Sequence, residues 1–266
     1  MDNALFVAWY SPHQRQWGPV GKLERTPTGY RFFYTRGAKT LAGFRPFPGM
    51  EDLDTVYESD ELFPLFANRL LAPSRPEYEA FLRWGGFDPH HPPDPIAVLG
   101  VTEGRRVTDT VEVFPCPTPD AEGRYVTKFF LHGLRWMAPA AWARVLELKP
   151  EEPLALMLDF MNRYDPYAVA VRTCDELGRM LLGYVPRYLA RDIRQVCLRC
   201  APDFISVTVE RVNPDAPLRQ RLLCRFSACW PPGFQPCQGE EFQPLTDLPQ
   251  LTPANCEAAL STARAG

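Results

Sequence analysis

Proline occupies 29 of the 266 positions, against ordinary usage of about 5%. Each proline fixes φ and removes a backbone donor, so it is kept out of helix interiors and central strands. A chain this rich in proline is cut into short elements joined by stiff turns, which argues against long helices. With 45% hydrophobic and 12% aromatic residues the pieces can still bury a core, so global disorder is not expected. The length suits one large domain or two ordinary ones of roughly 100–200 residues.

The net charge of −3 conceals an uneven spread. Residues 124–232 hold 16 Lys plus Arg against 11 Asp plus Glu, and the remainder holds 13 against 21. A basic segment beside an acidic one is compatible with a polyanion partner for the former. The same pattern also fits a compositional bias toward arginine, since lysine occurs only at Lys22, Lys39, Lys128 and Lys149. No apolar run approaches the roughly 18 residues of a membrane span, and the start, Met1-Asp2-Asn3-Ala4-Leu5, lacks a leader's basic and apolar regions. These features predict a cytoplasmic protein whose eight irregularly spaced cysteines stay mostly reduced.

Leu5 to Tyr10, Val20 to Arg25 and Tyr30 to Tyr34 are β-prone runs, the last two separated by the hairpin signal Thr26-Pro27-Thr28-Gly29. Leu41 to Asp60 reads as loop. Helical spacing follows at Leu62, Leu65, Phe66, Arg69 and Leu70, with Ser59 or Asp60 as cap and Pro64 in the first turn. Ser74 and Glu77 make a capping-box pattern for a second helix ending near Trp84. Ile96 to Val101 and Val107 to Phe114 read as strands. Beyond Gly123 the predicted strands are Val126 to Trp136, Leu154 to Phe160, Ala168 to Arg172, Met180 to Val185, Phe204 to Val212 and Leu222 to Ala228, with one main helix from Pro186 to Arg199. The expected class is α+β: residues 1–115 a β-rich domain with a helical pair, 116–123 a linker, 124–232 a small β-barrel of about six strands, and 233–266 a tail with a short Ala-rich helix near Asn255 to Ala265.

Three segments of the barrel region carry a specific resemblance. They are His132-Gly133-Leu134-Arg135-Trp136, Asn162-Arg163-Tyr164-Asp165-Pro166-Tyr167-Ala168-Val169, and Gly183-Tyr184-Val185-Pro186-Arg187-Tyr188-Leu189-Ala190. In order and spacing they resemble the HIRAN domain of the stand-alone bacterial type, an OB-like barrel that in its understood members grips the 3′ end of single-stranded DNA. The resemblance implies a nucleic-acid site of Arg135, Trp136, Asn162, Tyr164, Asp165, Tyr184 and Arg187. Trp136 and Tyr164 would stack on bases, Arg135 and Arg187 would meet phosphate, and Asp165 would accept from the terminal ribose hydroxyl. It also implies a DNA-binding protein without catalytic machinery, in repair, defence or stress response. Two departures stand out: Met137 follows Trp136 where the family often has a second aromatic, and Ala138 to Leu146 lengthens the connection to the next strand.

The same residues have plainer readings. Asn162 and Asp165 suit turn formation, Trp136 and Tyr164 suit a core with a satisfied polar tip, Arg135 suits a surface ion pair, and Gly183 suits a close backbone approach. The front half resembles, more loosely, the N-terminal region of HipA-type toxin kinases through Val20-Gly21-Lys22-Leu23, Tyr30 to Tyr34, and Leu65-Phe66-Ala67-Asn68-Arg69-Leu70-Leu71. That likeness implies a protein-interaction role for residues 1–115. Cys197-Leu198-Arg199-Cys200 has zinc-ligand spacing, but it lies on a predicted helix without a second pair, so buried free cysteine is the expectation and no cofactor is assigned. Two rivals to the DNA reading are a regulatory module that binds protein alone, and a metal-dependent nuclease built on acids such as Glu51-Asp52-Leu53-Asp54 or Glu151-Glu152.

Overall fold

Two antiparallel sheets organise the chain in a computed structural model that describes residues 4–11, 16–91, 93–176 and 178–247. The first comprises β1 (Ala4–Ser11), β2 (Gln16–Thr26), β3 (Gly29–Tyr34), β4 (Tyr57–Ser59) and β5 (Val111–Pro115), in the order β4-β3-β2-β1-β5. The predicted hairpin is β2–β3, closed at the Thr26 and Gly29 pair. One face of the sheet buries Leu5, Val7, Val20, Leu23, Phe32 and Tyr34 beneath Phe66, Ile96 and Leu99. Between the strands lie α1 (Gly37–Thr40), α2 (Pro64–Ala67), α3 (Tyr78–Trp84) and α4 (Pro95–Thr102).

The second sheet is built from β6 (Arg124–Phe130), β7 (Pro153–Leu158), β8 (Val169–Thr173), β9 (Leu181–Tyr184), β10 (Ile205–Val212) and β11 (Leu222–Cys229), in the order β6-β11-β10-β7-β8-β9. Its two ends meet. His132, just past β6, exchanges both backbone hydrogen bonds with Tyr184 of β9 at 2.9 Å each, so the curled sheet forms a barrel whose ends are linked by one bridge. Gly183 permits this: a Cβ there would sit 2.3 Å from the His132 carbonyl oxygen. Helix α6 (Arg187–Arg199) covers the barrel with Leu189, Ile193 and Val196, a spacing of four and three that forms one apolar face. Helix α5 (Pro139–Glu147) adds Ala141 and Val145.

The barrel core does not stop at the barrel. Phe6 and Ala8 of β1 and Phe114 of β5 belong to it, and Phe114 stacks on Tyr188 of α6 with ring centroids 4.7 Å apart. A buried polar contact lies beside this stack. Glu103, at the end of α4, is 2.6 Å from His132 Nε2 and accepts from the Tyr188 hydroxyl at 2.9 Å. Burial pushes the Glu103 carboxyl up, but His132 and then Arg105 outweigh it and hold it below the usual carboxylate range.

The α+β class and the six-stranded barrel agree with the sequence reading, while several elements differ. Ile96 to Val101 is helical, because the Asp94 side chain accepts from Ile96 N and Pro95 occupies the first helical position. The helix expected across Leu62 to Leu70 is the single turn α2, and neither Ser59 nor Asp60 caps it. The second helix begins at Tyr78, without the Ser74–Glu77 box. The loop Leu41 to Asp60 contains β4, paired to β3. Val107 is exposed and the strand starts only at Val111. Val126 to Trp136 is not one strand: Gly133, at φ 78°, turns the chain into a 3-10 turn over Leu134–Trp136. The stretch Ala138 to Leu146 forms α5, so the barrel carries a second helix besides α6. Cys200 and Cys229 are paired as a disulfide, while Cys116, Cys174, Cys197, Cys224 and Cys237 are free, so most of the described cysteines are reduced. The helix expected near Asn255 to Ala265 lies outside the described residues.

Candidate nucleic-acid interface

The 3-10 turn and the β7–β8 loop flank one groove of about 310 Å³. Trp136 stands on the turn because Gly133 adopts the left-handed conformation that starts it, and Trp136 N closes it by donating to the Gly133 carbonyl at 2.9 Å. Across the groove, the loop after β7 is held by its own polar side chains. Asn162 Oδ1 accepts from Tyr164 N at 3.0 Å and Asp165 N at 3.1 Å, and Asp165 Oδ1 accepts from Tyr167 N at 2.9 Å. The turn reading of Asn162 and Asp165 is therefore correct, and it sets Tyr164 and Asp165 on the groove wall.

Of the residues expected at the site, Trp136, Asn162, Tyr164, Asp165, Tyr184 and Arg187 line this groove together. Trp136 and Tyr164 keep 74% and 77% of their surface exposed, which removes the core-aromatic reading for both. Arg135 is the exception. It lines two neighbouring concavities instead, with its guanidinium carbon 4.5 Å from the indole centroid. Arg135 forms no ion pair with a carboxylate among the described residues, so the surface salt-bridge reading does not hold. Arg187 donates to the Tyr164 carbonyl at 2.8 Å, a neutral acceptor that leaves its charge available to an anion.

Asp159 is the residue that sequence reasoning passed over. Its Oδ2 accepts from the Tyr184 hydroxyl and from Asn162 Nδ2, both at 3.1 Å, and its Oδ1 accepts from Met161 N at 3.1 Å. Burial, then the Asp159 hydrogen bond, raises the Tyr184 phenol above its ordinary range. The signal was present, since Asp159 is the one carboxylate in an apolar run. His132 also lines the groove, with its ring anchored on Glu103.

Cys197 and Cys200 do not form a ligand pair, because the Cys200 sulfur is bonded to Cys229. No group of three or more His, Cys, Asp or Glu suited to a metal occurs among the described residues. Most of the acids suggested for a nuclease are otherwise engaged: Glu51 accepts from Gly49 N, Asp52 accepts from Asp54 N and Thr55 Oγ1, Asp54 pairs with Lys39, and Glu152 pairs with Arg144.

The family model of the HIRAN domain matches the barrel. It covers residues 125–230. The HIRAN match thus takes in both walls of the groove. Two solved structures are similar to a part of the chain. A protein from Lactobacillus plantarum is 18% identical, covering 40% of this chain and 99% of that one, with a TM-score of 0.29. The HIRAN domain of human HLTF is 18% identical, covering 41% and 83%, with a TM-score of 0.28. No curated protein matches the chain. The likeness of the first half to HipA-type kinases finds no support in these matches. No helix among the described residues is long and apolar enough to cross a membrane.

Proposed function

We propose that the groove binds the 3′ end of single-stranded DNA. The observation that carries this reading is that two solvent-exposed aromatics, Trp136 and Tyr164, line one groove together with Asp165 and Arg187. Flat rings suit base stacking, worth about 1–3 kcal/mol per base. Arg187 is placed to meet a phosphate, and Arg135, stacked behind Trp136, to steady the indole and reach the adjoining backbone. Asp165 Oδ2 has no hydrogen-bond partner among the described residues; it suits a terminal hydroxyl donor and opposes a terminal phosphate. Asn162 and Tyr184 act as positioning residues, because their polar atoms are engaged within the loop and with Asp159.

The reading involves no chemical step, and the protein acts as a binder, not an enzyme. The first 115 residues, in the acidic part of the chain, serve as an interaction domain that brings a protein partner to the bound end, in DNA repair, defence or stress response within the cytoplasm. Fluorescence anisotropy with labelled single strands tests this. A 3′-hydroxyl strand should bind about tenfold or more tightly than the same strand ending in 3′-phosphate, the scale of a lost charged hydrogen bond. Equal affinity for the two ends would remove the end-reading role, and no binding of either would remove the function.

A further inference from the structure

Beside the aromatic groove the chain gathers arginines from four separate segments. Arg105 and Arg106 come from the segment between α4 and β5, Arg135 from the 3-10 turn, Arg187 from the start of α6 and Arg219 from the β10–β11 connection. They line a cleft of about 410 Å³ between the first sheet and the barrel. Two carboxylates share it, and both are engaged. Asp109 is held by Arg69 at 2.8 Å, and Glu112 by Arg105 and the Trp17 indole. Arg106, Arg135, Arg187 and Arg219 have no carboxylate within ion-pair distance among the described residues. Burial, then the charges of Arg105 and Arg135, weakens the hold of Arg219 on its proton. Like charges crowded in this way repel one another, and a bound polyanion relieves the repulsion.

The cleft adjoins the aromatic groove, with which it shares His132 and Arg187. A third concavity of about 340 Å³ shares Arg135 and Arg219 with the cleft and Trp136 with the groove. A strand seated by its last bases between Trp136 and Tyr164 has its upstream backbone led over the indole into the arginine cleft. We infer that this cleft is a phosphate track for the single strand upstream of the bound end, with Arg106 of the first half in direct contact. The inference rests on the function proposed above, and it makes the front half part of the nucleic-acid surface.

The test compares the intact protein with Arg106→Ala, Arg219→Ala and Trp136→Ala on 3′-hydroxyl DNA of about three and about ten nucleotides. Both arginines are exposed, so their loss should leave the melting temperature unchanged. Each arginine variant should bind the longer strand about two- to fivefold more weakly, the range of exposed ion pairs. Its salt slope, log K against log salt, should be shallower by about 0.7 for each phosphate it no longer neutralises. Affinity for the short strand should stay at the wild-type value, whereas Trp136→Ala should weaken both. If the arginine variants match the wild type in affinity and salt slope on the longer strand while Trp136→Ala does not, the phosphate track is refuted and the groove stands. Failure of the wild type to bind either length removes both.

Discussion

Replacing Trp136 with alanine should strip one wall from the groove while leaving the barrel intact. The indole is 74% exposed, and its ring contact is the Arg135 guanidinium at 4.5 Å. An exposed cation–π contact is worth about 0.5–1 kcal/mol, so the urea midpoint should move little. Binding should respond differently, because one stacked base contributes about 1–3 kcal/mol, or roughly a 5- to 150-fold rise in Kd. Arg135 loses its platform as well, which pushes the effect toward the upper part of that range on strands long enough to meet it. Anisotropy titration at fixed salt gives the affinity, and a urea melt of the same preparation gives the stability. A Kd within twofold of the wild type, or a loss of stability that accounts for the whole loss of binding, would refute the stacking argument.

Gly183→Ala should destabilise the protein by about 1–3 kcal/mol, since the new Cβ would meet the His132 carbonyl oxygen at 2.3 Å at the barrel closure; a calorimetric Tm lower by about 2–12 °C checks this. Asp159→Ala frees the Tyr184 hydroxyl, Asn162 Nδ2 and Met161 N together. DNA affinity should fall although Asp159 is not among the groove-lining residues, and unchanged affinity would show that the loop holds its shape without it. The Glu103 carboxyl is depressed in the folded state, so the stability it contributes is full above the unfolded value of about 4.3 and drains away as pH falls below it. Urea midpoints measured between neutral pH and about pH 3 should therefore drop less steeply for Glu103→Gln than for the wild type.

The barrel was legible because its strands alternate or run apolar between turn residues, and because α6 shows a clean apolar face at Leu189, Ile193 and Val196. The misread elements are those where local pattern is ambiguous. Ile96 to Val101 is apolar on every side, so periodicity cannot separate strand from helix; Asp94-Pro95 is the deciding signal. Strand β4 is three residues long and exists only because β3 has a free edge to pair with. Helix α5 is marked by Pro139 at its first position, a start signal that the Pro- and Ala-containing stretch around it disguises as a plain connection. At the site, six of the expected residues converge because three short motifs carry them. Arg106, Arg219 and Glu103 could not be found in this way. Their roles depend on contacts with segments far away in sequence, to which no local spacing points.

The stack of Phe114 on Tyr188, with Glu103 reaching both Tyr188 and His132, leaves α6 without a solvent-ready back. Excising residues 125–230 would bare an aromatic face, take the Glu103 carboxylate away from a tyrosine hydroxyl and an imidazole, and turn an interior seam into an adhesive one. That imidazole belongs to the residue whose backbone links the ends of the barrel, so the damage would reach the groove directly. The front half thus behaves as a keel, and the behaviour of the barrel cut free from it is a poor guide to the protein that carries both.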